Sequence, residues 1–364
     1  MAGFEYLLII VAILFLLILL TFLIKKITKH ISILFAVIII MVLSVASIVG
    51  VYFNYTTNIS ANMESFSMEK QRAEEKKRLI NSVSMKDGVL EILSLHLAYS
   101  NRISKPIIRN GEIGFYLDDI WFNWADGKLL TDEDISNADN YISFGFYSYP
   151  VNGLPVIQKA TPERTLELQE YYKRRINNKK IINNTFLNTL YDGSSPKTMM
   201  RHIKTVSILG YRTSIHDYIV EPLSNASVEV KSMAQTNVQV KNYLASLKTV
   251  SGYVWKIISK SASRSYHSYG VAVDTLPKRS NGKQIYWAWT RVNNKEWYAV
   301  PFNDRWNPPK EVIKIFEKYG FIWGGKWHNY DTVHFEYRPE LIIYNRIKED
   351  EEELYRLIKE YGLY

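Results

Sequence analysis

The sequence predicts an α+β protein carried behind a two-helix transmembrane hairpin. Three observations carry this expectation. Residues 6–24 and 31–53 are apolar runs without a single charge, each long enough to cross a hydrocarbon core of about 30 Å as a helix. From about residue 200 onward, short strand-like stretches alternate with helix-like ones, the texture of mixed α and β layers. The 364 residues include no cysteine, so whatever lies outside the membrane must be held by a packed core rather than by disulfides.

Residues 1–53 are expected to hold the two transmembrane helices and the basic loop between them. A secretory signal would need a basic start and a shorter apolar region, whereas this chain opens Met1-Ala-Gly-Phe-Glu5. Lys25, Lys26 and Lys29, with His30 beside them, fill the connection. Positive loops stay on the cytoplasmic side, which predicts a cytoplasmic-membrane protein whose remaining chain faces the extracytoplasmic side. Residues 54–104 then read as a charged helical stalk, rich in helix formers but without a sustained apolar heptad. A short apolar helix is expected at residues 88–97.

Residues 105–200 change to an aromatic-rich α/β region of unassigned role. Ile113-Gly-Phe-Tyr-Leu117, Ile120-Trp-Phe-Asn-Trp124 and Tyr141–Tyr149 read as strands, punctuated by Asp126-Gly127 and Asn152-Gly153. A helix is expected over 162–181, with Thr161 as N-cap and Pro162 in the first turn.

Residues 201–345 carry the chemistry. Expected elements are a strand or short helix at His202–Leu209, a long helix over Val228–Leu247, and strands at Val271–Thr275, Gln284–Thr290 and Thr332–Tyr337. A helix over Pro309–Tyr319 is closed by Gly320. Residues 346–364 form an amphipathic C-terminal helix, with acidic residues early and basic ones late as the helix dipole favours. The net charge of +9 suits an anionic neighbour such as a membrane surface or a cell-wall polymer, and equally an ordinary basic protein with no charge-selected partner. An outward-facing domain makes nucleic acid an unexpected partner.

The richest segment is Ser265-Tyr-His267-Ser-Tyr-Gly270-Val-Ala272-Val-Asp274, followed by Asp331-Thr-Val-His334-Phe-Glu336. On a strand, Ala272 and Asp274 share one face, as do His334 and Glu336. Gly270 permits the turn that brings His267 back toward Asp274. Two imidazoles and one carboxylate can hold a zinc ion with one position open to water, and Asp331 or Glu336 is then available as a base. Ser265 is read as a turn residue, Glu336 as a group that orients His334, and Trp323 and Trp327 as cleft or core. His328 is read as a loop residue and Glu317 as part of an exposed helix face. His96, His202 and His216 show no partner pattern.

The pattern Ser265-x-His267-x-x-Gly270-x-Ala272-x-Asp274 with Asp331-x-x-His334 resembles the M15 family of zinc D,D-peptidases. This is the group of VanY-like D-alanyl-D-alanine carboxypeptidases and L-alanyl-D-glutamate endopeptidases. Gly320-Phe-Ile-Trp323-Gly-Gly-Lys-Trp327 and His334-Phe-Glu-Tyr-Arg-Pro-Glu340 add to the likeness, which spans about residues 205–345. The resemblance implies Zn2+ bound by His267, Asp274 and His334, with Asp331 as catalytic base. It also implies a Hedgehog/D,D-peptidase-type antiparallel sheet with flanking helices, and a peptidoglycan stem peptide as substrate. Gly210-Tyr211-Arg212-Thr213-Ser214 resembles the family's Ser-Gly-Tyr-Arg-Ser segment and nominates Arg212 as substrate-binding. That match is partial, since Leu209 and Asp217 stand where the family has Ser and Gln. Carboxypeptidase action on a terminal D-Ala-D-Ala is the favoured activity. Cleavage of an internal bond, or an inactive relative that binds wall peptide, are the alternatives.

Overall fold

The N-terminal apolar runs form helices. The computed structural model describes residues 2–27, 33–84, 87–151, 153–177, 180–258 and 263–363. Helix α1 spans Ala2–Ile27 and α2 spans Ile33–Ser84. The second apolar run from Ile33 and the expected stalk as far as Ser84 are one uninterrupted helix. Thr56 and Thr57 do not stop it, because their hydroxyls donate back to the carbonyls of Tyr52 and Phe53, satisfying themselves within the helix. Among the described residues one helix, from Ala36, is long and apolar enough to cross a membrane, and the described apolar part of α1, Val11–Lys25, is shorter. Lys29 and His30 of the expected basic loop lie outside the described residues, as does the side chain of Lys26.

The chain divides into two compact units, residues 1–78 and 79–364. In the second, α3 (Val89–Ala98) buries Val89, Ile92 and Leu93, as its apolar sequence predicts. Strands β1 (Ile107–Arg109), β2 (Glu112–Leu117), β3 (Ile120–Ala125) and β4 (Lys128–Thr131) form an antiparallel meander. Asp126 and Gly127 make the turn from β3 to β4 with φ of 50° and 75°, the paired positive angles that a tight two-residue hairpin requires. Phe115, Phe122 and Phe186 pack ring against ring beneath the meander.

The aromatic stretch after Tyr141 differs from its expected strand. Only Tyr141–Ile142 (β5) pairs, in parallel with Ile181–Ile182 (β6). The rest runs without a strand partner, and the Tyr149 N–H donates to Asn345 Oδ1. Helix α4 (Pro162–Asn177) starts where expected, with Thr161 Oγ1 accepting from the Arg164 N–H at 3.2 Å. Short helices α5 (Thr185–Leu190) and α6 (Pro196–His202) follow.

Strands β7 (Ile203–Ile208) and β8 (Tyr211–His216) form a hairpin. The single helix expected over Val228–Leu247 is two, α7 (Val220–Met233) and α8 (Val238–Ser246). Asn237 makes the break: it adopts extended backbone and accepts from the N–H groups of Gln239 and Val240, an N-cap that restarts the helix. The chain continues through β9 (Leu247–Ser251), β10 (Ala272–Pro277), α9 (Trp287–Asn293), α10 (Lys310–Lys318), β11 (Phe321–Trp323) and β12 (His334–Tyr337). It ends with α11 (Pro339–Glu349) and α12 (Glu351–Tyr361). The expected strand at Gln284–Thr290 is a second difference. Gln284 and Tyr286 make single bridges to Arg305 and Asp331, and the chain then turns into α9. Helix α11 runs through residue 345, so the C-terminal helix begins later, at Glu351.

Strands β11, β12, β10 and β9 lie side by side in that order, every pair antiparallel. Helix α10 packs Val312, Ile315 and Phe316 inward, and the Phe316 and Phe335 rings lie 4.2 Å apart. Gly320 closes α10 with φ +89°, as the sequence predicts. The two inner strands, β10 and β12, carry the candidate ligands.

Candidate metal centre

The register of β10 against β12 sets the centre. Asp274 is directly opposite His334, and Ala272 is directly opposite Glu336. The period of two puts all four on one face, and the small Ala272 side chain leaves room beneath Glu336. His267 arrives from a 3-10 turn, Tyr266–Tyr269, capped by Ser265, whose Oγ accepts from the His267 N–H. Gly270 ends the turn at φ +66°, where an added Cβ would stand 2.8 Å from the backbone nitrogen of His216. Strain and contact together exclude a side chain there.

Three ligand atoms converge. His267 Nε2 lies 3.1 Å from Asp274 Oδ1 and 3.2 Å from His334 Nδ1, and His334 Nδ1 lies 2.9 Å from Asp274 Oδ1. The outer ring nitrogens fix the tautomers. His267 Nδ1 donates to the Gly252 carbonyl at 2.7 Å, and His334 Nε2 donates to Glu336 Oε2 at 3.1 Å. With the outer nitrogens so committed, each ring directs its other nitrogen inward, toward a carboxylate oxygen. Such a set repels itself unless a cation sits among it.

Electrostatics agree. Burial favours neutral forms throughout, yet the imidazoles of His267 and His334 hold Asp274 far below the usual carboxylate range. Burial also opposes charge on His334, but Asp274 and Glu336 outweigh it and raise the imidazole to about 10. The pocket asks for positive charge.

Asp331 sits at the mouth of β12. Burial pushes its carboxyl up to about 6, with the Asp274 charge adding to the rise and His334 opposing it. Among the described residues its buried Oδ1 has no hydrogen-bond partner. An orphaned acceptor beside a cation-seeking triad fits a water molecule held between the two. The donor set and the orphan oxygen therefore fit zinc with an open position.

Around this centre lies a cleft of about 500 Å³. Much of its wall comes from residues with no site pattern in the sequence: Tyr172 from α4, Lys256, Tyr286, and Trp287, Trp289 and Arg291 on α9. Trp327 lines the cleft with its ring 5.4 Å from that of His334, whereas Trp323 is wholly buried in the core. Arg212 is on the exposed side of β8 and does not line the cleft. A second Ser-Gly-Tyr word, Ser251-Gly252-Tyr253, ends β9 beside His267, with Val254 in the following position. Lys256, two residues further, faces the cleft near enough to Asp331 to counter its rise. This repeated word was the available signal.

The remaining candidates separate cleanly. His328 packs against Trp297 and Tyr298. Glu317 is not on an exposed face: it forms a buried ion pair with Lys326 at 2.6 Å. Its place at the inner side of α10 is the physical reason for the difference. His202, His216 and Asp217 form a second group of ligand types, but His216 is committed elsewhere. Its Nδ1 accepts from the Tyr218 N–H and its Nε2 donates to the Tyr191 carbonyl, each at 3.0 Å. Burial keeps that ring neutral, and no lone pair remains for a metal.

No solved structure matches the chain. Residues 259–337 match the model of an M15 peptidase family described as D-alanyl-D-alanine carboxypeptidase. The matched span takes in His267, Asp274, Asp331, His334 and Glu336, and supports a peptidase.

Proposed function

We propose that the chain is a membrane-anchored zinc peptidase that hydrolyses peptidoglycan stem peptides, acting as a D-alanyl-D-alanine carboxypeptidase. In this reading His267, Asp274 and His334 hold the ion, and residues 79–364 work on the extracytoplasmic side of the cytoplasmic membrane. The sheet β11-β12-β10-β9 with α10 against it is then the Hedgehog/D,D-peptidase-type core. The observation that carries the reading is the convergence of two inward imidazole nitrogens and Asp274 Oδ1 within 3.2 Å of one another, beside the orphaned Asp331 Oδ1.

Zinc in that position supplies Lewis acidity, polarising the scissile carbonyl and acidifying water. The chain's own groups do the rest. Asp331, ionised above about pH 6, takes the proton of the attacking water on Oδ1 and passes it to the leaving amine. Glu336 keeps His334 in the tautomer that binds metal. Lys256 places a positive charge in the cleft, where negative charge develops on the carbonyl oxygen. The aromatic wall of Tyr286, Trp287 and Trp327 narrows the cleft around an extended peptide and excludes water.

The test uses the full chain in detergent micelles. One zinc per chain by elemental analysis, with release of D-Ala from a stem pentapeptide, is the expected result. Asp331→Ala should keep its zinc and lose turnover; undiminished turnover would refute the assigned base. Mass spectrometry of the fragments separates loss of a terminal D-Ala from cleavage of an internal bond.

A further inference from the structure

Resting on the peptidase reading above, we propose that Arg291 is the subsite that binds the free C-terminal carboxylate of the peptide substrate. Its placement begins at the centre itself. Tyr286 bridges Asp331, and the Trp287 N–H donates to the Tyr330 carbonyl at 2.9 Å, so α9 springs from the strand edge beside Asp331. Arg291 follows Trp287 by four residues, one helical turn, and therefore rises on the same face.

The guanidinium is held, not free to sweep. Its carbon lies 4.7 Å from the centroid of the Tyr172 ring and 6.0 Å from that of Trp287. Those two rings are themselves packed 4.9 Å apart. Tyr172 is nearly fully buried and anchored by its hydroxyl, which donates to Asn329 Oδ1. A guanidinium held over a ring face spends none of its N–H donors on that contact, so the fork stays available to a planar acceptor.

Two neighbouring arginines show what a structural guanidinium looks like here. Arg264 is stacked 4.0 Å over Tyr269 but turns Nη1 onto Asn188 Oδ1 and the Gly193 carbonyl. Arg305 is stacked 4.0 Å over Tyr330 and gives Nε and Nη2 to the Val300 carbonyl. Arg291 lines the cleft, and among the described residues no carboxylate or carbonyl accepts from it. A stacked fork without an acceptor, on the wall of a cleft that faces a candidate catalytic centre, matches the two oxygens of a carboxylate. Lys256 cannot take the same role, because a flexible ammonium near Asp331 lacks the fork and is better placed for the reacting carbonyl.

The experiment measures binding apart from turnover. Full-length Asp331→Asn protein in micelles is titrated with diacetyl-L-Lys-D-Ala-D-Ala and with its C-terminal amide, following heat release by isothermal titration calorimetry. The free acid carries one carboxylate and the amide none. The acid is expected to bind about tenfold or more tightly than the amide, the usual gain from a charge-assisted fork. Adding Arg291→Gln should remove that preference while leaving amide affinity unchanged, and Arg291→Lys should restore part of it. A merely structural arginine would weaken both ligands alike. Equal binding of acid and amide, a preference that survives Arg291→Gln, or absence of binding by either peptide would each overturn the assignment. Failure of the broader reading would look different: the otherwise unaltered, zinc-loaded chain would cleave no stem peptide at all.

Discussion

Replacing Asp331 by Asn should make the metal-free protein more stable while abolishing hydrolysis. The carboxyl is raised from 3.8 to about 6 by burial and by the charge of Asp274. A shift of that size corresponds to about 3 kcal/mol between the protonation states. The sign follows from linkage. A carboxyl whose folded value lies above its unfolded one adds stability that is full below pH 3.8 and lost as pH rises through about 6. At pH 7.5 the ionised group therefore burdens the fold by about 3 kcal/mol. Asn removes the charge but keeps a buried atom without a partner, which costs about 1 kcal/mol. The net gain is about 2 kcal/mol, or a rise in Tm of roughly 5 °C for a unit of this size. Thermal unfolding of both proteins in micelles with a chelator, at pH 7.5 and pH 5, measures it. The gap should be clear at the higher pH and should shrink at the lower. Equal midpoints at pH 7.5, or a gap that does not change with pH, would refute the electrostatic account of Asp331.

Three further outcomes are expected. Glu336→Gln, which removes the anionic acceptor of the His334 Nε2–H, should weaken zinc about 10- to 100-fold in a chelator competition. Lys326→Met strands Glu317 as a buried, unpaired acid, since both side chains are at most 3% exposed. It should cost about 3–5 kcal/mol in urea unfolding, and the double replacement with Glu317→Leu should recover much of that. Gly270→Ala should lower Tm and zinc affinity together, because the strained turn and the 2.8 Å contact with His216 displace His267.

The candidate centre was legible because strand periodicity is local. Once Val271–Thr275 and Thr332–Tyr337 are read as strands, Ala272, Asp274, His334 and Glu336 fall on common faces without further information. What the sequence did not disclose is which loop supplies the cleft wall. Gly210-Tyr211-Arg212 carries the more complete word, yet β8 leaves Arg212 exposed, whereas Ser251-Gly252-Tyr253 lacks the arginine and sits against His267 through the Gly252 carbonyl. Nothing local distinguishes them; the difference is which segment extends the sheet beside β10. Trp287 and Arg291 were hidden for a similar reason. The run Gln284–Thr290 has strand composition, but pairing stops after Tyr286, and the chain turns into a short helix whose first turn carries Trp287 and Trp289 to the cleft instead. The helix break at Asn237 was a local cue, since an Asn two and three residues before free N–H groups is a cap.

The aromatic region before residue 200 gains a physical role from the same charges. Behind His334 runs a buried series: Glu336 Oε2 accepts from the His334 Nε2–H, Arg338 Nη1 lies 3.6 Å from Glu336 Oε1, and Arg338 Nε donates to Glu340. Glu340 Oε2 in turn accepts from the Tyr99 hydroxyl at 2.9 Å. Two carboxylates and one guanidinium at this depth are costly unless every lone pair is met, and Tyr99, just past α3, meets one of them. Tyr149 does the equivalent on the other flank. Its hydroxyl donates to Glu317 at 2.5 Å and accepts from the Trp323 N–H at 2.8 Å, while Lys326 reaches back to the Pro150 carbonyl. The Trp323–Trp327 segment, which leads into Asp331, is thereby fixed by residues 174 and 176 positions upstream. The half of the chain that carries the candidate centre does not meet these charges by itself, so the region before it completes the polar core around that centre.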